Sequence, residues 1–464
     1  MSVCSLAAWD METRQEPSIR VGIILPEDET HQVRLSTPKD DAYRVWLDDM
    51  SGPILQGASL EVQIDDRRLV LRGGDTAIGK AGIIRLMPEA EQRLAQGAGA
   101  LVRGVVTGRG FHWQKRIHTS LNGMLEFRLH EDHLLLVNEV PLEQYLAGVL
   151  TAEMSGNCPV EYLKTQVVVA RSWVLAFTEN KHPDLPFDRC NDDDCQRYHG
   201  TTSLTPAAVE AVRATRGQVL VDASGEVIDA NYSKSCGGVS ETPENTWSVA
   251  KAGLVAMVDA PTGSQARRFF PVTEDNLDEY LTGSWLAHTD IFCSPAVVPD
   301  DEVTRYIGKV DERGNYFRWQ IHYDREDLEQ VLRDKFFARQ DPGKVATLST
   351  LMDIRVTRRG LSGRAIAMDL EYLDPMRQIH LVQLTDQHKI RDALHEKFLY
   401  SSAFRIDIER DPDGLPRRIT LTGAGWGHGV GMCQIGALGM ALKGYTCEQI
   451  VRHYFEGIDI YACY

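Results

Sequence analysis

The chain has 464 residues, a length at which single hydrophobic cores usually divide, so two or three domains are expected. Hydrophobic residues make up 43% and charged residues 25%, which argues against a chain that is disordered as a whole. The net charge of -16 and the pI near 5.4 disfavour binding to nucleic acid, anionic membranes or teichoic polymers through bulk electrostatics. A neutral or weakly charged glycan stays compatible with this charge.

The N-terminus lacks the marks of an export signal. Met1 to Trp9 has no basic segment and no adequate apolar run, and acidic residues follow at once. We find no stretch of about 18 apolar residues, so no membrane-spanning helix is expected. The nine cysteines are odd in number and widely spaced, which is not typical of a dense disulfide framework. Most are expected to be small buried side chains.

Residues 17–137 predict a β-rich N-terminal region. Short segments of alternating apolar residues, bounded by Gly or Asp, recur through it. The clearest predicted strands are residues 19–25, 60–64, 68–71 and 133–137.

From residue 138 the hydrophobic period becomes helical, and a second domain is predicted over residues 138–460. Pro141 suits a first helical position, and apolar residues at helical spacing follow it. Residues 239–345 are expected to form a less regular insertion. The other predicted elements are a helix from Pro159 to about Phe177, a polar loop over 182–200, a helix over 206–215, strands at 218–221, 227–232, 317–323, 351–357 and 365–373, a helix over 325–336, and a last helix capped by Thr446 and ending at Gly457.

A glycine-rich run, GAGWGHGVGM, occupies residues 423–432. Its five glycines stand at alternate positions, with Trp426 and His428 between them. Glycine weakens a strand, so either another group approaches this backbone closely, or the run is a tight loop before a helix that packs through small residues. It is not a Walker-type phosphate loop, because no Lys-Ser or Lys-Thr pair closes it, and no G-x-G-x-x-G phasing follows a strand. Nucleotide binding is therefore not expected.

The glycine run resembles the closing signature of the SpoIID/LytB family, whose members act on peptidoglycan. Three other motifs resemble that family in the same order along the chain. They are VPLEQYL (140–146) with AEM (152–154) and VARS (169–172), then ANYSKSCGG (230–238), and then Ile390-Arg391 with LYSSAF (399–404). Four ordered matches make a specific signal, although each alone would be weak. The resemblance implies a mixed α+β, SpoIID-like catalytic domain, to which the β-rich N-terminal region is added.

Glu153 is the main catalytic candidate. Four-residue spacing aligns Tyr145, Val149 and Glu153 on one helix face, so the carboxyl group ends a largely apolar stripe. Desolvation there would favour the protonated acid, which is the state that a general acid needs. The alternative is a solvent-exposed glutamate at the helix end. In the family that the chain resembles, the glutamate at this place in the motif is catalytic.

The resemblance implies a lytic transglycosylase that cleaves between N-acetylmuramic acid and N-acetylglucosamine. Glycosidases usually need two carboxylates. Here the C6 hydroxyl of the sugar is the attacking group, so a single Glu can protonate the leaving oxygen and then accept the C6 proton. No cofactor is required for this reaction. The alternatives are a non-enzymatic, peptidoglycan-binding enhancer of a cell-wall amidase and a scaffold that works inside the cell.

Arg171 is a second catalytic candidate, which could orient Glu153 or pair with the lactyl carboxylate of the substrate. A helix-surface arginine is the alternative. The resemblance also implies that the Tyr and Lys of ANYSKSCGG contact the glycan or act as catalytic partners. Trp426 and His428 of the glycine run could line the glycan groove, because aromatic rings stack on sugar faces. Core packing is the alternative for the tyrosine among them, and a structural role, donating a hydrogen bond to a loop carbonyl, is the alternative for the histidine. These substrate-binding candidates are Tyr232, Lys234, Ser235, Cys236, Gly237, Gly238, Trp426 and His428.

The polar loop over residues 182–200 is a candidate metal site. His182, Cys190, Cys195 and His199 could bind zinc, although the spacing is loose for a structural zinc site. Some family members resemble this loop and carry a metal there. A disulfide between Cys190 and Cys195, or no bond at all, are the alternatives. The three aspartates at 192–194 are expected to be solvated surface.

The expected partners are peptidoglycan glycan strands and, for the enhancer alternative, a cell-wall amidase. Nucleic acid is not an expected partner. The resemblance favours the cell envelope or the extracellular space, which conflicts with the missing export signal. A trimmed or misassigned start, an unusual export route, or work inside the cell would each resolve this conflict.

Overall fold

The computed structural model describes residues 14–111, 113–176, 180–307, 314–341 and 343–464. The chain divides into two compact units. The first unit consists of Met1–Leu220, Arg305–Glu312 and Ile460–Tyr464, and the second unit consists of Val221–Thr304 and Arg313–Asp459. The first unit therefore holds the predicted β-rich region together with the first helices of the predicted second domain.

Two sheets make up the β-rich region, with strand orders β13-β1-β12-β11-β8-β3-β4 and β10-β9-β2-β5-β6-β7. The strands up to residue 221 are β1 (Ser18–Ile24), β2 (Gln32–Ser36), β3 (Tyr43–Leu47), β4 (Met50–Leu55), β5 (Ser59–Asp65), β6 (Arg68–Gly73), β7 (Thr76–Ala81), β8 (Ile83–Pro88), β9 (Ala100–Thr107), β10 (Lys115–Leu121), β11 (Met124–His130), β12 (His133–Pro141), β13 (Arg189–Cys190) and β14 (Gln218–Val221). Strand β13 runs parallel to β1.

The alternating sequence pattern of this region follows from its two-layer packing. Strands β5 and β6 of one sheet contact β12 and β11 of the other. Val33 and Leu35 of β2, like Leu60 and Val62 of β5, are buried, whereas the residues between them are more exposed. Every second side chain therefore points into the shared core. The prediction of a β-rich N-terminal region is confirmed.

Three helices of the first unit follow the sheets, namely α1 (Leu142–Glu153), α2 (Val160–Ala176) and α3 (Pro206–Ala214). Helix α1 is buried around most of its circumference because it contacts α2, α3 and β12. Gly148 is needed in this helix, since a Cβ atom there would lie 2.6 Å from the ring of Tyr198. Helix α2 begins one residue after Pro159, and its predicted end at Phe177 lies outside the described residues.

The second unit contains smaller sheets, with orders β16-β21-β20, β17-β18-β19 and β15-β22. The strands of this unit are β15 (Tyr232–Ser233), β16 (Arg318–Asp324), β17 (Thr350–Arg359), β18 (Ala365–Leu373), β19 (Ile379–Thr385), β20 (Phe404–Arg410), β21 (Pro416–Ala424) and β22 (Met432–Cys433). The last strand, β23 (Asp459–Ala462), pairs with β14, and all but its first residue belong to the first unit. The remaining helices are α4 (Pro243–Trp247), α5 (Glu274–Thr282), α6 (Asp300–Ile307), α7 (Arg325–Lys335), α8 (Gln387–Ala393), α9 (Gln434–Leu442) and α10 (Cys447–Tyr454).

The core of the two larger sheets explains why α7 is amphipathic. Leu328 and Leu332 of α7 are fully buried and join one apolar cluster with Trp319, Met368 and Ile390. The opposite face of α7 carries charged residues, as the sequence predicted. The predicted capping box at Thr446 is also present at the start of α10.

The strand predicted over residues 227–232 is shorter in the structure. Only Tyr232–Ser233 forms a strand, in parallel pairing with Met432–Cys433, and Val227 makes a single bridge to Val221. Within the residues that the structure describes, the segment after Ser233 meets the glycine run through isolated bridges rather than through a continuous ladder. The overall class is nevertheless mixed α+β, as predicted. Within the described residues we find no helix long and apolar enough to cross a membrane.

Candidate functional site

Glu153 is the last residue of α1, and its carboxyl group is sheltered. Tyr145, Val149 and Glu153 all belong to the buried face of the helix, and only 9% of Glu153 is exposed. The next residue, Met154, has an extended backbone, so the helix ends at this glutamate. Oε1 of Glu153 accepts a hydrogen bond from the backbone N–H of Arg197 at 3.1 Å. The alternative of a solvent-exposed glutamate at the helix end is therefore wrong.

A second carboxyl group, that of Asp193, lies close to Glu153. Oδ1 of Asp193 accepts from Nε of Arg197 at 2.6 Å, and Oδ2 accepts from the indole N–H of Trp113 at 3.1 Å. Burial raises the pKa of Asp193 to about 6, the Arg197 guanidinium opposes this, and the charges of Asp192 and Glu153 act in the same direction as burial. The carboxyl groups of Asp193 and Glu153 are therefore close enough to influence each other electrostatically.

The expectation that residues 192–194 are solvated surface is wrong for the first of them. Asp192 is only 3% exposed. Its carboxylate accepts the backbone N–H groups of Gly108 and Arg109 at 2.8 and 2.9 Å and pairs with the Arg109 guanidinium. A buried aspartate at this position fixes the β9–β10 loop to the segment that carries Asp193.

The β9–β10 loop presents two stacked aromatic rings beside this carboxyl pair. Phe111 and Trp113 lie 4.5 Å apart with nearly parallel planes, and both are partly exposed. The Arg197 guanidinium lies over the Trp113 ring at 5.4 Å. The sequence analysis missed these rings, although GRGFHW (108–113) places aromatic residues directly after two alternate glycines, as the glycine run places Trp426 after Gly425.

Arg171 has a different partner from the one expected. Its guanidinium binds Glu143 through two hydrogen bonds of 2.9 and 2.6 Å, and the side chain is fully buried. Glu143 also accepts the N–H of Gly217 and the hydroxyl of Tyr464. In this structure Arg171 therefore holds Glu143 and not Glu153, and the alternative of a helix-surface arginine is wrong. A substrate carboxylate would have to displace Glu143 to reach the guanidinium.

His182, Cys190 and Cys195, here called the loop trio, come together in the first unit. Their ligand atoms lie within 4.8 Å of one another, and Sγ of Cys195 is 3.7 Å from Nε2 of His182. Zinc bonds of about 2.3 Å to sulfur and about 2.0 Å to nitrogen put such atoms about 3.5 Å apart at a tetrahedral centre. Both cysteines are free thiols. The donor set therefore fits zinc with three protein ligands.

His199, the fourth metal candidate in that loop, lies elsewhere. Its Nε2 is 3.2 Å from the hydroxyl of Thr107, and the side chain is buried. Burial lowers the pKa of His199 to about 4, so the imidazole is neutral at physiological pH. His199 is thus a buried structural histidine.

In the second unit, residues 232–238 run along the glycine run. Ser235 and Trp426 exchange two backbone hydrogen bonds of 3.0 and 2.8 Å. A Cβ atom on Gly237 would lie 2.6 Å from the backbone nitrogen of Gly425, and both glycines have positive φ. The glycines of the two motifs therefore allow these two backbone segments to approach each other.

The side chains of this second-unit segment differ in exposure. Tyr232 is partly exposed, whereas Lys234, Ser235 and Cys236 are 8%, 0% and 1% exposed. The hydroxyl and thiol of the last two residues therefore point into the interior.

Trp426 and His428 make different contacts within the second unit. Trp426 is partly exposed and stacks on Tyr400, with ring centroids 4.5 Å apart, and Tyr316 lies at 4.9 Å. Nδ1 of His428 accepts the backbone N–H of Val430 at 3.0 Å. Burial lowers the pKa of His428 to about 3, with further lowering by nearby arginines, so the ring is a neutral hydrogen-bonding group. The structural alternative for the histidine was a bond donated to a loop carbonyl, whereas this bond is accepted from a loop N–H.

Comparisons with known families match two stretches of the chain. A family model described as "Stage II sporulation protein" (SpoIID) matches residues 130–221, and a "Domain of unknown function (DUF8618)" matches residues 297–431. The first match contains α1, Glu153 and the loop trio.

Curated relatives match much longer stretches at low identity. An uncharacterized protein of Brachyspira hyodysenteriae is 27% identical over 338 residues, which cover 73% of this chain and 71% of that protein. Stage II sporulation protein D of Bacillus amyloliquefaciens is 24% identical over 341 residues, covering 70% and 75%. The amidase enhancer of Bacillus subtilis is 26% identical over 320 residues, covering 68% of this chain. That match spans 40% of the amidase enhancer's own length.

Proposed function

We propose that this chain, which belongs to the SpoIID/LytB family, cleaves the glycan strands of cell-wall peptidoglycan as a lytic transglycosylase. One observation carries the proposal. Inside the segment matched by the SpoIID model, Glu153 stands sheltered at the end of α1, hydrogen-bonded by a backbone N–H and close to a partly exposed aromatic pair. Peptidoglycan is a substrate whose sugar faces suit such rings.

In this reaction Glu153 gives its proton to the glycosidic oxygen as the bond from C1 of N-acetylmuramic acid breaks. The C6 hydroxyl oxygen of the same sugar bonds to C1, and its proton passes to Glu153. The product has a 1,6-anhydro end, no water is consumed, and the glutamate is protonated again. While Glu153 is ionised, the N–H of Arg197 stabilises its carboxylate.

Phe111 and Trp113 supply the surface on which a sugar ring would lie. Stacked, partly exposed rings offer apolar area at little entropic cost, because their neighbours already fix them. Asp193 acts here as a positioning residue, since its two oxygens hold the Trp113 indole and the Arg197 guanidinium. Tyr232, Lys234 and Trp426 are proposed glycan contacts of the second unit.

Arg171 contributes indirectly in this proposal. Its bidentate pair with Glu143 fixes the first turn of α1 to α2, and α1 carries Glu153 at its other end. His182, Cys190 and Cys195 would hold a zinc ion that ties residue 182 to the segment next to Asp193. That ion would stabilise the loop and would take no part in catalysis, because a single glutamate suffices for the reaction.

A second candidate function is the non-enzymatic binding of peptidoglycan that enhances an amidase. The similarity to the amidase enhancer of Bacillus subtilis favours it. This function needs the glycan surface but does not need a sheltered carboxyl group, so Glu153 separates the two functions.

The test is a digest of purified peptidoglycan with the wild-type chain, Glu153→Gln and the control Glu210→Gln, followed by mass spectrometry. The amide introduced by Glu153→Gln keeps an acceptor for the Arg197 N–H but cannot donate an ionisable proton, so product should fall by about a hundredfold or more. Glycan binding and melting temperature should stay near wild type. Glu210 is an exposed glutamate on α3, and its variant should cleave normally.

The products decide between the functions. Glycan fragments with 1,6-anhydro ends support the transglycosylase, and fragments with ordinary reducing ends would contradict it in favour of a hydrolase. The enhancer function would be established if the wild-type chain binds glycan without cleaving it and accelerates an added amidase, and if Glu153→Gln accelerates the amidase to the same extent. Glu153→Gln that cleaves at the parental rate would place the acid on another residue.

A further inference from the structure

Three cysteines and an aspartate meet in the interior of the second unit. Cys236, Asp259, Cys293 and Cys433, here called the buried cysteine cluster, come from four separate segments of the chain, and none is more than 2% exposed. Their ligand atoms all lie within 4.8 Å of one another. The cluster is distinct from the loop trio, which belongs to the first unit.

The distances inside the buried cysteine cluster match a tetrahedral metal centre. Sγ of Cys236 is 3.7 Å from Sγ of Cys293 and 3.4 Å from Oδ2 of Asp259. Two sulfurs on one zinc ion lie about 3.75 Å apart, and a sulfur and a carboxylate oxygen about 3.5 Å apart, for bonds of about 2.3 and 2.0 Å. A disulfide would need about 2.05 Å between the sulfurs.

The carboxylate of Asp259 is oriented as a ligand would be. Its Oδ1 accepts the hydroxyl of Tyr454 at 2.7 Å and lies 3.4 Å from Nε2 of His453, so Oδ2 is the oxygen that faces the sulfurs. Outer hydrogen bonds of this kind fix the direction of metal ligands. Gly436 leaves room for the carboxylate, because a Cβ atom there would lie 2.3 Å from Oδ2.

Backbone N–H groups point at the sulfurs. Sγ of Cys433 accepts from Gly436 at 3.3 Å and from Cys236 at 3.2 Å, and Sγ of Cys236 accepts from Gly238 at 3.3 Å. Cys433 also caps the N-terminus of α9, where the helix dipole favours negative charge. These donors suit thiolates, the form in which cysteine binds metal.

In the part of the chain that the structure describes, Arg318 acts electrostatically on Cys293 and Cys236, but its guanidinium donates to the backbone carbonyl oxygens of Gly237 and Tyr280 rather than to a sulfur. Among the described residues, the basic group that reaches Asp259 is the imidazole of His453. Buried carboxylates and thiolates are costly unless a cation or a metal ion compensates them. A divalent ion among the four ligand atoms would supply that charge.

We propose that Cys236, Asp259, Cys293 and Cys433 bind one structural zinc ion with three sulfur ligands and one oxygen ligand. Four protein ligands leave no open position, and the burial denies access to substrate, so the ion joins segments of the fold and takes no part in glycan chemistry. On binding, three thiol protons pass to solvent, and nothing is oxidised or reduced. The proposal stands independently of the proposed function and gives Cys236 a ligand role in place of glycan contact.

The test uses the full chain with Cys195→Ser, which removes one ligand of the loop trio, expressed with added zinc under reducing conditions. Elemental analysis should find about one equivalent of zinc in this protein. Adding Cys293→Ser should reduce the zinc to background, whereas adding Cys447→Ser, a partly exposed cysteine at the start of α10, should leave it unchanged.

A second measurement covers the case in which the Cys293→Ser protein does not fold. The Cys195→Ser protein is stripped with a chelator under reducing conditions and titrated with cobalt, which should give thiolate-to-metal charge-transfer bands that one equivalent saturates. Adding Asp259→Asn should weaken cobalt binding but keep the thiolate bands. A protein that takes up neither zinc nor cobalt, or one lighter by two hydrogens with Cys236 and Cys293 cross-linked, would overturn the proposal.

Discussion

Two sets of buried charged groups, one in each compact unit, are stabilised in different ways. In the first unit, buried charged groups pair with each other, as Arg171 does with Glu143 and as Glu126 does with three arginines. In the second unit, Arg364 is fully buried, and in the described residues it bonds backbone carbonyls and a serine hydroxyl without an ion pair. Glu143 and Glu126 are thus held by other side chains, whereas Arg364 holds backbone.

That difference explains what the glycine run is for. A Cβ atom on Gly429 would lie 2.2 Å from Cζ of Arg364, whose guanidinium also donates to the carbonyl oxygens of Cys236 and Val239. The backbone of the glycine run therefore packs closely against the buried guanidinium of Arg364 and against the neighbouring segment 232–238. Of the two alternatives left open for the run, the structure shows the close approach, which the chain itself makes, and the run also leads into α9.

The largest stability effect is expected where a buried ion pair is broken. Arg171→Met should lower the free energy of unfolding by about 3–5 kcal/mol, because it leaves the Glu143 carboxylate buried without its partner. Urea titration followed by circular dichroism measures the loss. The double variant Arg171→Met/Glu143→Leu should recover much of it, since neither charge then remains. Single and double variants of equal stability would show that the pair is not coupled.

Acid should also remove the contribution that the ionised carboxylate of Glu126 makes to the stability of the first unit. Burial alone would raise the pKa of Glu126, but hydrogen bonds and charges from Arg128, Arg20 and Arg85 outweigh it and lower the pKa to about 2. Because the folded pKa lies below the unfolded value, this stability is complete above about pH 4.5 and is lost as the pH falls toward 2.

The size of this acid-labile contribution is at most about 3 kcal/mol, and solvent around the partly exposed arginines reduces it. Unfolding free energies measured between pH 6 and pH 2 for the wild type and Glu126→Gln give the comparison. Glu126→Gln should be less stable at neutral pH and should lose less stability on acidification. If the unfolding free energies of the wild type and Glu126→Gln fall in parallel with pH, Glu126 is not the source of the acid-labile stability.

Two glycine variants test whether close backbone approach explains the glycine run of the second unit. Gly431→Ala should lower the free energy of unfolding by about 1–3 kcal/mol more than Gly444→Ala, because its Cβ would lie 2.0 Å from the carbonyl oxygen of Asn231. Gly444 has a similarly positive φ but no neighbour within 4 Å, so it controls for backbone strain. Equal losses in urea titrations would mean that close approach does not explain the run.

Much of the fold was predictable because its signals are local. The alternating strands, the apolar stripe that ends at Glu153, the amphipathic helix over 325–335 and the capping box at Thr446 each depend on residues a few positions apart. The partner of Arg171 was not predictable, since Glu143 lies 28 positions away and their meeting depends on how α1 packs on α2.

The parts that sequence reasoning missed are assembled over long distances. Asp193 belongs to a run of three aspartates, a pattern typical of solvated surface, but its carboxyl group accepts a hydrogen bond from Trp113, which lies in a loop 80 positions earlier. Cys236 and Cys433 are 197 positions apart, far outside the spacing of any recognised metal motif. Fold contacts, rather than local residue patterns, create both arrangements.

The smallest predicted effect tests whether the first unit offers the glycan an aromatic surface. Trp113→Ala should lose about 1 kcal/mol of glycan affinity, or about fivefold in Kd, because it removes one ring of the stacked pair. Trp113→Phe keeps a ring but loses the indole N–H that Asp193 accepts, so it should bind nearly as well as wild type if stacking dominates. Isothermal titration with purified glycan fragments measures both. If Trp113→Ala binds like wild type, the glycan surface lies elsewhere, and if Trp113→Phe binds as weakly as Trp113→Ala, the hydrogen bond to Asp193 matters more than the ring.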